Sequence, residues 1–268
     1  MFLDVPGAKL FAVRSGPVRA TAILAVGGWI GSSELWQEPL AQLSDSYVTV
    51  TYDHRGSGLS MCAPESITFE NLVADAVAVL EAYGIGRCVL AAESAGAQTA
   101  LAVAARFPEK VSHLVLVDGM YSRSVAVHND PFLQGLRSAY PATIERFVQL
   151  CIPEPESEHF KAWGRKMLAR AEESAAITLR ILGSVTDVSR EMKRVTQPVL
   201  VIHGDLDTIV PLEAARALAA ALPDSELQVL DGCGHVPTLT QPKRVADAMR
   251  AFLRRREAGH LSSLASTS

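Results

Sequence analysis

The sequence predicts an α/β fold in which a mostly parallel central sheet is covered by helices on both faces. Short apolar runs rich in β-branched residues recur along the chain, and such continuous runs are typical of strands buried on both faces. Segments in which alanine and leucine recur three or four residues apart separate these runs and indicate helices. Alternation of the two patterns favours parallel strands joined by helical crossovers.

The predicted elements follow in chain order. Strand patterns lie at 22–26, 47–52, 88–92, 113–117, 199–202 and 227–230. Helical patterns lie at 69–83, 97–107, 212–222 and 245–254. The small and polar residues from about Gly259 onward predict a frayed tail.

One region interrupts the alternation. Between residues 120 and 197 the chain shows helical patterns at 142–150 and 159–171 but no strand pattern. Pro153 and Pro155 predict a turn between these two helices. We therefore expect a core formed by residues 1–119 and 198–268, with residues 120–197 inserted into it as a helical lid.

Composition limits the classes of partner. A chain of 268 residues with a net charge of -4 has no excess of basic residues for a nucleic-acid surface. The four cysteines lack the spacing of a zinc site or disulfide framework, which favours a reduced cytoplasmic setting. No apolar stretch is long enough to span a bilayer, and no signal peptide is evident, so we expect a soluble protein without a membrane partner. The sequence indicates no oligomeric state.

The segment Ala92-Glu93-Ser94-Ala95-Gly96 joins a predicted strand to a predicted helix. This is the context of a nucleophile elbow, in which the residues two before and two after the serine must be small. The usual first residue is glycine, so Ala92 departs from the pattern. A serine here can also simply cap the following helix, so the assignment depends on the rest of the chain.

A serine nucleophile needs an adjacent base, normally a histidine oriented by a carboxylate. His235 and Asp207 both lie in loops that follow predicted strands, at the sheet edge where active sites of parallel sheets gather. The chain order Ser94, Asp207, His235 matches the order known for α/β-hydrolases. Glu93, beside the nucleophile, is expected either to raise the pKa of His235 or simply to pack beneath the elbow.

With these motifs, the chain resembles the lidded α/β-hydrolase superfamily of esterases, lactonases and C–C bond hydrolases. The stretch 53–60, Asp-His-Arg-Gly-Ser-Gly-Leu-Ser, is similar to that family's D-x-R-G-x-G-x-S loop. The stretch 204–211 is similar to its G-x-x-D-x-x-x-P motif. Gly234-His235 followed by Gln241-Pro242 also resembles that family. The resemblance covers nearly the whole chain except the expected lid.

The resemblance also implies an oxyanion hole. The family's early H-G-x motif corresponds to Gly27-Gly28-Trp29, where glycine replaces the histidine. The backbone N–H groups of Trp29 and Ala95 would then bind the substrate oxyanion, each contributing about 3 kcal/mol to catalysis. The alternative is a plain glycine turn after the first buried strand.

The identity of the acid leaves an alternative open. Spacing from Gly204 and Pro211 favours Asp207, whereas Asp118, which follows another predicted strand, suits a second arrangement known in this superfamily. Otherwise Asp118 is expected to form hydrogen bonds at its strand end.

These observations predict a serine hydrolase that cleaves carboxylic esters or lactones through an acyl-enzyme. No phosphate-loop or His-Glu-x-x-His pattern occurs, so we expect neither cofactor nor metal. Trp29, Phe147, Leu150 and Trp163 are the candidate lining of a pocket for small to medium apolar substrates. The alternatives are a C–C hydrolase, perhydrolase or lyase of the same fold, or a ligand sensor with slow turnover.

Overall fold

The computed structural model describes residues 1–121 and 127–265, with only the backbone for residues 259–265. Its strands are β1 Phe2–Val5, β2 Ala8–Ser15, β3 Ala22–Val26, β4 Val48–Tyr52, β5 Met61–Cys62, β6 Cys88–Glu93, β7 Val111–Val117, β8 Val199–Gly204 and β9 Ser225–Leu230. Its α-helices are α1 Gln37–Ala41, α2 Phe69–Ala82, α3 Gly96–Arg106, α4 Pro131–Ser138, α5 Tyr140–Cys151, α6 Glu158–Leu168, α7 Glu173–Val185, α8 Ser189–Met192, α9 Leu212–Ala221, α10 Pro237–Thr240 and α11 Pro242–Ala265.

The strands form one sheet in the order β1-β2-β4-β3-β6-β7-β8-β9, with β5 paired to β2. The parallel pairs are β4–β3, β3–β6, β6–β7, β7–β8 and β8–β9. The antiparallel pairs are β1–β2, β2–β4 and β2–β5. The predicted mostly parallel sheet is therefore confirmed.

Two apolar cores lie on the two faces of this sheet. Strand residues alternate between them, so that Ile23 and Ala25 of β3 belong to one core and Leu24 and Val26 to the other. Helices α2, α3 and α9 cover one face, while α1, α11 and most of the inserted helices cover the opposite face. This burial on both faces explains why the central strands read as continuous apolar runs.

The sequence patterns missed the first two strands, β1 and β2. Residues of β1 alternate between exposed and half-buried, and β2 ends in three exposed residues. Such half-exposed antiparallel strands lack the continuous apolar runs on which the prediction rested. They form a hairpin at Pro6-Gly7, where Gly7 has a φ of 75°.

Helices α4 to α8 fill the segment between β7 and β8, here called the insert. The predicted helix 159–171 ends earlier, at Leu168, and α7 begins at Glu173. For residues 259–265 the predicted tail was wrong in its backbone, because α11 continues to Ala265, and residues 266–268 lie outside the described part of the chain. Ala258 and Leu261, on either side of Gly259, are good helix formers and offset its low propensity. No helix in the described part of the chain has the length and apolarity needed to cross a membrane.

Candidate active site

The candidate site lies where the chain direction across the sheet reverses. Strands β3 and β6 are neighbours, but the chain proceeds from β3 toward β4 on one side and from β6 toward β7 on the other. The loops that leave the carboxyl ends of two such strands diverge and leave a crevice between them. The loop 27–31 follows β3 and Ser94 follows β6, so both border this crevice.

Ser94 occupies a strained turn between β6 and α3. Its φ of 50° lies in the left-handed region, which is uncommon for a residue with a side chain and marks functional positions. A Cβ atom at Gly96 would lie 2.5 Å from the carbonyl oxygen of Gly27, so only glycine fits there. Ala92 is fully buried in the core, where its methyl group is accommodated, and the departure from glycine is therefore sterically tolerated.

His235 lies between Ser94 and Asp207. Its Nε2 atom is 2.9 Å from Ser94 Oγ, and its Nδ1 atom is 2.7 Å from Asp207 Oδ2. The imidazole and the carboxylate are both buried. Since the carboxylate can only accept, Nδ1–H donates to Asp207 and leaves Nε2 to accept the serine proton.

The carboxylate of Asp207 is fixed by its own loop. Its Oδ1 atom accepts hydrogen bonds from the backbone N–H groups of Ile209, at 2.8 Å, and Val210, at 3.0 Å. Burial lowers the pKa of His235, but the charge and hydrogen bond of Asp207 outweigh this effect and raise the pKa above its ordinary value. The site thus favours the imidazolium that forms when His235 accepts a proton.

Asp118, the alternative acid, contacts a different histidine. Its Oδ1 atom accepts from the backbone N–H of Gly204 at 2.9 Å and lies 3.2 Å from His203 Nδ1. Burial raises the pKa of Asp118 well above its ordinary value, and the charge of Asp207 adds to this effect. Burial also lowers the pKa of His203. The structure therefore brings Asp207, not Asp118, to His235.

Asp118, His203 and Asp207 also form a cluster of potential metal ligands, with ligand atoms within 4.8 Å of one another. His203 Nε2 donates to the carbonyl of Val210 at 2.8 Å, and Asp207 Oδ2 already accepts from His235. We interpret the cluster as a hydrogen-bonded support for the acid.

Trp29 and Ala95 border the same cavity as Ser94. Ala95 directly precedes α3, so its N–H lies at the positive end of that helix, which favours negative charge on a substrate oxygen. At Gly27, a Cβ atom would lie 2.7 Å from the carbonyl oxygen of Gly31. The loop therefore has no room for the histidine that the resemblance would place there.

Three side chains hold the loop that follows β3. Trp36 Nε1 donates to the carbonyl of Val26 at 3.1 Å, and Trp29 Nε1 donates to that of Ala176 at 2.9 Å. His54 Nε2 lies 2.9 Å from the carbonyl oxygen of Gly28 and is placed to donate to it. Sequence reasoning assigned His54 no function, because its contact with residue 28 becomes visible only in the folded chain.

Two cavities meet at Ser94, with Trp29 and Phe147 bordering both. One, here called the α5–α6 cavity, has a volume of about 50 Å³, and its apolar lining comprises Ile30, Leu35, Val148, Cys151, Ile152, Met167, Leu168, Val236 and Leu239. The other, here called the α7 cavity, is lined further by Met120, Phe132, Leu179, Arg180, Gly183 and Ile209.

Two of the predicted pocket residues were wrong. Leu150 is 40% exposed, because the helical period of α5 turns Phe147 and Cys151 toward the cavity and Leu150 away from it. Trp163 does not line either cavity and instead donates from Nε1 to Glu34 Oε2 at 2.7 Å. The next residue, Gly164, lines the α5–α6 cavity in its place.

Glu93 is buried beneath the elbow and accepts a hydrogen bond from Thr238 Oγ1 at 3.1 Å. Burial raises its pKa to about 7, although the charge of His235 opposes this shift. The protonation of the Glu93 carboxyl group is therefore coupled to that of His235.

The insert supports the loop of His235. The backbone N–H of His235 donates to the carbonyl of Cys151 at 2.8 Å. Glu154 Oε1 accepts from the N–H of Gly234, at 2.9 Å, and from Thr240 Oγ1, at 2.8 Å. The sequence around Glu154 predicted only a turn. A glutamate between two prolines gives no local sign that it will be buried.

Residues 21–242 match the family model described as alpha/beta hydrolase fold. A pimeloyl-[acyl-carrier protein] methyl ester esterase from Nitrosomonas europaea is 29% identical over 249 residues, which cover 86% of this chain and 94% of that protein.

Solved structures share the fold. The enol-lactonase from Burkholderia xenovorans superposes with a TM-score of 0.85 at 21% identity, covering 95% of this chain and 100% of that chain. A thermophilic esterase from Thermogutta terrifontis superposes with a TM-score of 0.83 at 24% identity, covering 92% of this chain and 94% of that chain.

Proposed function

We propose that this chain, which belongs to the α/β-hydrolase family, hydrolyses small to medium uncharged carboxylic esters or lactones through an acyl-enzyme on Ser94. One observation carries the proposal, namely the continuous hydrogen-bonded path from Asp207 through His235 to Ser94 Oγ. This arrangement activates a serine that is otherwise a weak nucleophile near neutral pH.

In the proposed reaction, Ser94 Oγ attacks the carbonyl carbon while His235 Nε2 takes its proton. The N–H groups of Trp29 and Ala95 stabilise the resulting oxyanion. The tetrahedral intermediate then collapses as the leaving alcohol takes the proton from Nε2. A water molecule then attacks the acyl-enzyme carbonyl as His235 Nε2 takes its proton. His235 passes this proton to Ser94 Oγ as the ester bond breaks, which releases the carboxylic acid and restores the serine hydroxyl.

The apolar lining of the α5–α6 cavity supports a small uncharged substrate. The name of the relative from Nitrosomonas europaea, a methyl ester esterase, supports ester cleavage. We further propose that the insert acts as a lid, since α5, α6 and α7 together supply nine of the residues that line the two cavities at Ser94. A cytoplasmic location stays a prediction from composition.

The test is to label the purified protein with a fluorophosphonate probe and to identify the labelled peptide by mass spectrometry. We expect rapid modification of Ser94 in the wild type and its loss in His235→Ala. Panels of simple esters and lactones would then give the preferred bond. Folded protein that resists the probe and cleaves none of these compounds would contradict the proposal and favour a binding role.

A further inference from the structure

We infer that the α5–α6 cavity binds a short apolar arm of the substrate, and that Gly164 sets the length of this arm. The inference rests on the proposed ester hydrolysis and names the part of the substrate that this cavity takes. Gly164 lines the cavity from the interior of α6 and faces Val148 of α5 and Ile152, the residue that follows α5.

Nothing in the local backbone requires glycine at this position. Residue 164 lies within a regular α-helix, where alanine is more favourable than glycine. A Cβ atom there would lie 3.7 Å from Val148 Cγ1 and 3.9 Å from Ile152 Cδ1, which are ordinary contact distances. Alanine would therefore fit, and the effect of glycine is to leave space in the cavity.

Other glycines at the site differ in this respect. A Cβ atom would lie 2.7 Å from a backbone oxygen at Gly27, 2.5 Å from one at Gly96 and 2.3 Å from one at Gly204. Close backbone approach requires glycine at these three positions. At Gly164, by contrast, the neighbours are side chains of the cavity wall at normal distance, so cavity volume is the property that the residue controls.

The cavity is suited to an uncharged arm of limited length. Its volume is about 50 Å³. Among the described residues that line it there is no lysine or arginine, while the buried carboxyl group of Glu93 lies beside it. An anionic arm would lose its hydration there and find no lysine or arginine to pair with.

The experiment compares kcat/KM of the wild type and Gly164→Ala in two ester series. The first series varies the acyl arm in p-nitrophenyl acetate, butyrate and hexanoate. The second varies the alcohol arm in methyl, propyl and pentyl acetate. The added methyl group should lower the ratio of long-arm to short-arm kcat/KM by about tenfold or more in one series. The affected series identifies the arm that occupies the cavity.

Gly183→Ala is the matched variant, since Gly183 lies in α7 and lines the other cavity. It should leave unchanged the ratio that Gly164→Ala lowers. Gly86→Ala, whose Cβ would meet nothing within 4 Å, should change neither series. Melting temperatures establish that all variants are folded.

The outcomes separate the two proposals. A wild type that cleaves no ester of either series overturns the proposed ester hydrolysis, on which this inference rests. A wild type that cleaves them, together with a Gly164→Ala variant that keeps both length ratios or loses activity equally at every length, overturns the role of Gly164 alone.

Discussion

Asp207 and Asp118 are both buried carboxyl groups at the ends of neighbouring strands, but their hydrogen bonds differ. Asp207 reaches His235, whereas Asp118 accepts from the backbone of Gly204 and lies beside His203. Burial holds the pKa of Asp118 well above its ordinary value, which favours the protonated acid. An amide can replace a protonated carboxyl group with little electrostatic change, but it cannot stabilise an imidazolium.

We therefore expect Asp207→Asn to lower kcat by on the order of 10⁴-fold, as loss of the orienting acid does in serine proteases. Asp118→Asn should lower it by less than about tenfold. Steady-state kinetics on an active ester, with circular dichroism to verify folding, measures both. If Asp118→Asn lowered kcat more than Asp207→Asn, Asp118 would be the acid that orients His235.

Glu93 makes stability depend on pH. Its pKa is about 7 in the folded protein against an ordinary value of 4.5, because burial disfavours the charged form. Between these two values the unfolded chain releases this proton while the folded protein retains it, so this group's contribution to stability falls as pH rises. Glutamine retains an acceptor for Thr238 but cannot ionise.

Accordingly, Glu93→Gln should gain unfolding free energy over the wild type on going from pH 5 to pH 8. Urea unfolding at both pH values, under identical salt conditions, gives this difference. Parallel pH dependence of the two proteins would show that Glu93 is not buried in its neutral form.

Sequence was informative where the function of a residue depends on its immediate neighbours. The elbow around Ser94 and the loops of Asp207 and His235 each have a local spacing that predicts their position after a strand. The predictions that Leu150 and Trp163 line the pocket failed because composition alone does not determine which side of a helix faces the cavity. In each case a residue one to three positions away along the same helix faces the cavity.

Among the elements, the loop that follows β4 is joined to α2 by a buried ion pair. Arg55 Nε and Asp75 Oδ2 are 2.7 Å apart, and both side chains are almost fully buried. The same loop carries His54, which holds the carbonyl of Gly28. The position of the loop 27–31 therefore depends on α2 as well.

Asp75→Ala should lower the unfolding free energy by about 3–5 kcal/mol, because it leaves the Arg55 charge buried without a partner. Glu70→Ala is the matched control, since Glu70 lies on the same helix and pairs with Arg106 in an exposed position. Its cost should be about 0–1 kcal/mol. Chemical denaturation measures both, and equal losses would contradict the buried pairing.

His54→Ala should lower kcat by about tenfold with little change in KM, because a loosened oxyanion loop affects the transition state more than the bound substrate. His113→Ala, on β7 against Phe252, is the control and should retain the wild-type kcat. A His54→Ala variant that matched the wild type in kcat would show that the two tryptophans suffice to hold the loop.

On the scale of the whole molecule, strand order and the two cores explain why the prediction succeeded for the parallel sheet and failed for the amino-terminal hairpin. Central strands are buried on both faces, so each is a detectable apolar run in isolation. Strands β1 and β2 lie at the edge, where exposure breaks that run. β2 also pairs with β4, which lies farther along the chain, and no local pattern records that contact.

The insert and the catalytic loop also depend on each other at this scale. Glu154→Ala should lower the unfolding free energy by about 1–3 kcal/mol, since it leaves the Gly234 N–H and the Thr240 hydroxyl without their acceptor. It should also lower kcat through displacement of His235. Glu158→Ala, an exposed change at the start of α6, should do neither. Denaturation and kinetics on both variants test this coupling, which would be refuted if the two behaved alike.

The bond from the His235 backbone to the carbonyl of Cys151 has an evolutionary consequence. Residues 151–154 of the insert provide two of the acceptors that fix the loop of His235. A recombination event that replaced the entire insert would therefore also remove part of the catalytic scaffold. Viable chimaeras should therefore retain residues 151–154 of this chain.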